Sequence, residues 1–156
     1  MTRRLADERG AAVVEFALVS VLFLGILFGI VTFGLIFMVK NDITRAAEAG
    51  ARAAIAGTTV DGAGGQRDKA YQAAQRVLNG LPSSYEDHIV LPADTSPADG
   101  IPDFPIAPCP GETSASCITV TVTYPYSSHP LVPAVPLLGE VLPDEITSTS
   151  VVQLTN

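Results

Sequence analysis

At 156 residues the chain has room for one small domain and an anchor, not for two full domains. Its formal net charge is −7, and residues 41–156 hold thirteen acids against five bases, which argues against a nucleic-acid partner that needs basic clusters to displace counterions. A solvated surface accounts for that acidity equally well.

Arg3, Arg4 and Arg9 make residues 1–10 a short charged leader with no evident helical preference. From Phe16 to Val39 no residue carries a charge. As a helix that run is roughly 36 Å long at about 1.5 Å per residue, enough to cross a hydrocarbon core of about 30 Å. It is too long for the apolar core of a cleaved signal peptide, about 7–15 residues. Lys40, Arg45 and Arg52 on the far side nearly match the leader's bases. The first flank usually dominates, so the N-terminus is placed in the cytoplasm and the rest of the chain outside it.

The helix need not stop at Val39. Residues 41–56 are rich in Ala, and Arg45, Glu48 and Arg52 recur at spacings that put them on one helical face. One helix is expected over residues 11–56, with Gly57 as its stop. Residues 57–156 form the exterior head. Gly62, Gly64 and Gly65 make a hinge, and they lack the flanking strand and Lys of a phosphate loop. A second helix is expected over residues 66–79, from the apolar stripe Ala70, Ala73, Ala74, Val77 and Leu78. Gly80 and Pro82 close it. Residues 88–91 are a short strand candidate, and the proline-rich residues 92–110 read as loop. Strict alternation from Ile118 to Thr123 marks a strand with one buried face and a threonine face. Residues 129–143 form an apolar, proline-broken loop, either packed under the sheet or exposed as a contact patch. Residues 146–154 read as a closing strand. The fold class is α+β: a long membrane-crossing helix continuing outside, then a head of one helix and a short antiparallel sheet.

Four groups of residues draw functional attention. Glu15 is an acid at the mouth of the apolar run. A carboxylate there either sits harmlessly near the headgroups at the positive end of the helix dipole or marks a functional site needing a partner. Gly25 and Gly29 form a G-x-x-x-G that lets membrane helices approach closely, although glycine is common in such helices anyway. Ala46, Gly50 and Ala54 continue the four-residue spacing of small residues outside the membrane. Cys109 and Cys117, the only cysteines, suit a disulfide in an oxidising compartment. A metal site would need two more ligands, and neither histidine is near in sequence. His88 and His129 are isolated in sequence, with no nucleophile or base pattern around either, so no enzyme activity and no cofactor are expected.

The stretch Arg9-Gly10-Ala11-Ala12-Val13-Val14-Glu15-Phe16-Ala17-Leu18, followed by the apolar run, resembles the TadE-like pseudopilins of tight-adherence (Tad) pili, relatives of type IV pilins. Residues 41–53, Asn-Asp-Ile-Thr-Arg-Ala-Ala-Glu-Ala-Gly-Ala-Arg-Ala, are similar to that family's second block. The resemblance covers about the first third of the chain. It implies that a membrane-embedded prepilin peptidase cuts between Gly10 and Ala11. Glu15 would then be the assembly glutamate, paired with the new amine of a neighbouring subunit. It further implies a minor pilin or assembly factor whose partners are the membrane, the peptidase and other pilins. The alternative is an uncut, signal-anchored exterior binding or adhesion domain.

Overall fold

A computed structural model describes residues 3–60, 65–91, 104–132 and 142–154. Two compact units divide it, Met1–Leu35 and Ile36–Asn156. Its elements are α1 (Arg3–Ala54), α2 (Gln66–Leu78), α3 (Ser83–Glu86), β1 (Ile106–Cys109), β2 (Glu112–Tyr124) and β3 (Ile146–Leu154). The architecture is α+β, with an N-terminal helix long and apolar enough to cross a membrane.

The first unit is described only by α1. Its apolar side chains from Val13 to Val31 face outward, Phe16 being 74 % exposed. That is the pattern of a helix awaiting a nonaqueous surround, because water would penalise so continuous an apolar surface.

The second unit is the head, and α1 is part of it. From Val39 onward the helix has one buried face, made by Val39, Ile43, Ala46, Ala47, Gly50, Ala51 and Ala54. Asn41, Arg45, Glu48 and Arg52 occupy the opposite, exposed face. Arg52 pairs with Glu48 at 2.6 Å. The second helix buries Ala70, Ala74 and Leu78, one side chain per turn, and leaves Ala73 and Val77 half-buried. It thus follows the expected stripe and ends one residue early.

The sheet has the order β1-β2-β3, antiparallel throughout. In β2, Ile118, Val120, Val122 and Tyr124 are buried and the intervening threonines are not. On the open face Thr121 meets Thr149, and Thr123 meets Thr147, each pair with hydroxyls 3.2 Å apart. These are directly opposed residues in the β2–β3 register, the geometry in which side chains across strands interact. β3 occupies the residues expected of it.

Four features differ from the sequence reading. The helix begins at Arg3, inside the leader, rather than at Ala11. The segment Leu5-Ala6-Asp7-Glu8-Arg9 contains no proline and several good helix formers, so nothing stops α1 from extending backward. Second, the strand candidate at 88–91 reduces to one bridge, Val90 to Thr123, through backbone bonds of 2.7 and 2.9 Å. Third, Ile106–Cys109 is a strand although it lies in the expected loop. Pro108 is tolerated because β1 is an edge strand, where one side of the backbone needs no ladder partner. The hairpin closes through Pro110-Gly111, with Gly111 at φ 87°, matching a type II turn. Fourth, a short helix, α3, follows the Gly80–Pro82 break that closes α2, with Pro82 as its N-cap.

Gly57 terminates α1 as expected, for a different reason. It does not adopt a left-handed cap. A Cβ at Gly57 would stand 2.4 Å from the backbone nitrogen of Gln66. The chain leaving α1 therefore passes directly against the start of α2, which only glycine allows. Of the apolar loop, Leu131 and Leu142 pack on the core. Residues 133–141 lie outside the described residues.

Candidate functional site

The apolar part of α1 carries the first site. Ala11 and Glu15 are both exposed and stand four residues apart in a continuous helix, hence on one face about one turn apart. Glu15 has no hydrogen bond or ion pair among the described residues. Its carboxylate is therefore available to a partner. The Gly10–Ala11 bond lies within the helix rather than at its start. Gly10 is the weak point of this stretch, since glycine in a helix costs about 1 kcal/mol relative to alanine. Gly25 and Gly29 also remain unpacked, with nothing within 4 Å of an added Cβ on either.

The small residues beyond the membrane run serve a different purpose. Gly50 lies where α1 meets both α2 and the sheet. A Cβ there would stand 3.0 Å from the Ala70 carbonyl oxygen, 3.1 Å from Val120 Cγ1 and 3.4 Å from Ala74 Cβ. Ala46 and Ala54 are fully buried alongside it. These three residues are thus consumed by the head's own core. As a free face for packing between subunits they are unavailable, contrary to what their spacing suggests.

Polar contacts then fix α1 to the rest of the head. Lys40 Nζ donates to the Thr147 carbonyl oxygen, and the Thr44 and Ser148 hydroxyls lie 2.9 Å apart. The Tyr85 hydroxyl donates to Asp42 Oδ2 at 2.8 Å, both residues being buried. Burial, with the Asp42 hydrogen bond adding to it, pushes the Tyr85 phenol up to about 12. A neutral tyrosine is the form that can donate to the carboxylate, so burial and hydrogen bond act together. Tyr85 also meets the edge of the Tyr124 ring, with centroids 6.5 Å apart. Asp42 was not singled out in the sequence; its partner is 43 residues away, so no local spacing announces the contact.

Cys109 and Cys117 form a disulfide, with Cα atoms 5.0 Å apart. It ties the edge strand β1 to the central strand β2 across the Pro110-Gly111 turn. Replacing both cysteines by serine is expected to lower the head's unfolding free energy by about 2.5 kcal/mol, the chain-entropy value for so short a loop. Chemical denaturation of the oxidised protein and of the double variant would show it, and identical midpoints would rule it out.

The histidines are not isolated in space. The His88 and His129 rings stack with centroids 3.7 Å apart and planes 17° from parallel. The stack holds the segment after α3 against the turn after β2. That turn is fixed in its own right, because the Tyr124 hydroxyl donates to the His129 carbonyl oxygen at 2.6 Å.

Comparison with known proteins touches the first of these regions. Residues 10–52 match the family model of TadE-like protein. No curated protein and no solved structure matches the chain significantly. The matched segment covers both the exposed apolar helix and the small-residue face that forms the spine of the head.

Proposed function

We propose that this TadE-like protein is a minor pseudopilin of a Tad-type pilus, made as a precursor, cut between Gly10 and Ala11, and assembled through α1. The observation that carries the reading is the exposed carboxylate of Glu15, without a partner among the described residues, one helical turn from Ala11, at the mouth of an apolar helix that matches the family model.

The chemistry is a charge-matching device. A carboxylate deep in a bilayer helix costs a few kcal/mol on insertion scales, falling toward the interface. Cleavage after Gly10 would create an α-amine at Ala11. An ammonium and a carboxylate in one low-dielectric layer attract strongly and offset each other's desolvation. The amine of a neighbouring subunit can serve as the partner, which makes Glu15 a selector for assembly over solitary insertion. Arg3, Arg4 and Arg9 hold the leader in the cytoplasm, where the peptidase would act. Because the bond to be cut is helical, the peptidase must unwind a turn around it, and Gly10 lowers that cost. The head, outside the cytoplasm, is braced by a disulfide that suits an oxidising compartment. Within the pilus system it would contribute to surface adherence.

N-terminal sequencing of the membrane-bound protein, from cells containing a prepilin peptidase, is the decisive measurement. The expected mature chain begins at Ala11. Recovery of a chain that retains Met1 to Gly10 under those conditions would overturn the processing claim.

A further inference from the structure

The sheet has two edges, and only one is protected. β1 is four residues long, contains Pro108 and shifts register beside it. Short length, proline and a bulge are devices by which proteins keep an edge from recruiting another strand. β3 has none of them. It pairs with β2 through nine consecutive positions without a shift, and Ile146–Leu154 contains no charged residue and no proline.

The direction of the β3 backbone follows from its neighbours. Thr123 exchanges both of its backbone bonds with Val90, and Thr119 N donates to the Pro105 carbonyl oxygen. These odd-numbered residues of β2 thus turn their backbone groups away from β3. In an antiparallel ladder, alternate residues bond to alternate sides. The even-numbered residues of β2, from Ile118 to Tyr124, therefore bond to their opposites on β3, from Val152 to Ile146. That leaves the N–H and C=O groups of Thr147, Thr149, Val151 and Gln153 pointing outward. Lys40 Nζ takes the Thr147 carbonyl oxygen, in keeping with that direction. The backbone groups of Thr149, Val151 and Gln153 have no partner among the described residues. All three residues are exposed, Val151 to 50 %.

We propose that the 149–153 edge of β3 receives an extended, uncharged strand of another polypeptide, which adds a fourth strand to the sheet. Only an extended backbone presents donors and acceptors at the spacing this row requires. The neutrality of β3 leaves no charge for a partner to match. Val151 sets the side-chain preference, because a β-branched or aromatic residue opposite it would cover its exposed surface. A second copy of β3 fits less well. Antiparallel pairing, the more stable kind, would relate two copies by a twofold axis normal to the sheet. α1 runs along the sheet's buried face, from Thr44 beside Ser148 to Gly50 beside Val120, about 9 Å further along the helix. That axis would reverse one copy's residues 36–54 relative to the other's, so the two chains would enter the pair from opposite ends. Copies held by one membrane enter from the same side. The inference needs neither cleavage after Gly10 nor incorporation in a pilus.

The test uses the full-length chain in a mild detergent and a synthetic peptide copying residues 117–124 of β2, with serine for Cys117 and two lysines at each end. Amide hydrogen exchange reads each position separately. In the free chain the amides of Thr149, Val151 and Gln153 should exchange fast, and those of Ser148, Ser150 and Val152 slowly. Saturating peptide should slow the first three at least tenfold and leave the others unchanged. Val151→Pro removes an outward N–H that no ladder bond uses, so the head should stay folded and lose the effect. Val151→Lys, which sets a charge on the edge and leaves the backbone intact, should weaken peptide binding at least tenfold. A peptide that slows none of the three amides would overturn the proposal, as would equal slowing in both variants while they remain folded by circular dichroism. So would slow exchange of the three amides without peptide: at every concentration it would mean that the chain covers its own edge, and only at high concentration that a second copy does.

Discussion

Gly50→Leu is expected to destabilise the head strongly while leaving the apolar helix able to enter a membrane. Even a single Cβ at this position would meet a backbone oxygen at 3.0 Å and a methyl group at 3.1 Å. Three further carbons have nowhere to go, because α2 lies on one side and β2 on the other. Overpacking of this kind usually costs 1–3 kcal/mol, and about 3 kcal/mol or more is expected where the obstructing atom is backbone. That is a large share of the stability of a small domain, typically about 5–15 kcal/mol. Gly50→Ala is the informative companion. Its helix-propensity gain of about 1 kcal/mol opposes a tight contact, so the net change should stay within about 1 kcal/mol. Chemical unfolding of the full chain in detergent, followed by tyrosine fluorescence, separates the two. A Gly50→Leu protein with the wild-type midpoint would falsify the close approach of α1, α2 and β2.

Glu15→Ala is the second expectation, and its effect is on assembly rather than folding. The side chain is exposed and touches nothing in the described structure, so the head should unfold as before. Removing an acid from an apolar helix should, if anything, favour insertion. What disappears is the proposed partner for an Ala11 amine. The variant is therefore expected to accumulate in the membrane, to be cut normally after Gly10, and to drop at least tenfold in pilus fractions. Glu15→Gln should behave like Glu15→Ala, since the proposed role needs the charge and not merely the shape. Fractionation with mass spectrometry of the membrane and sheared-pilus pools reads both quantities. Wild-type incorporation of either variant would remove Glu15 from the assembly mechanism while leaving cleavage to be judged separately.

These two residues show how differently one helix is used along its length. Glu15 belongs to the first unit, and Gly50 lies at the centre of the second unit's core. The family match runs through both. Its first half is an exposed apolar helix, and its second half is the internal support of the head. The notion that small residues at four-residue spacing mark contacts between subunits holds open only for Gly25 and Gly29, whose surfaces are unfilled.

Much of the molecule was legible from local pattern. An uncharged run from Phe16 to Val39 has one economical conformation in an apolar medium, where every backbone group must be bonded internally. The alternation from Ile118 to Thr123 assigned faces to β2, and the 3.6-residue stripe of α2 assigned its buried side, because burial on one face leaves a period in the sequence. A lone cysteine pair named its own partner. The acid at position 15 was visible because it interrupts an expectation that composition alone sets up.

Tertiary structure decided what no period encodes. The partnership of His88 with His129, of Asp42 with Tyr85, and of Gly57 with the start of α2 depends on which segments the sheet and the long helix bring together. Edge strand β1 was invisible because prolines mask it, and it exists because β2 offers an open ladder on that side and the disulfide holds it there. The small residues at 46, 50 and 54 are the clearest case. Their spacing announces a close contact, but only the packed structure says with what, since a helix face records that something approaches and not its identity. Sequence by itself determined the anchor, the acid and the alternation, all consequences of how single segments meet water or lipid. The fold decided which segments meet each other.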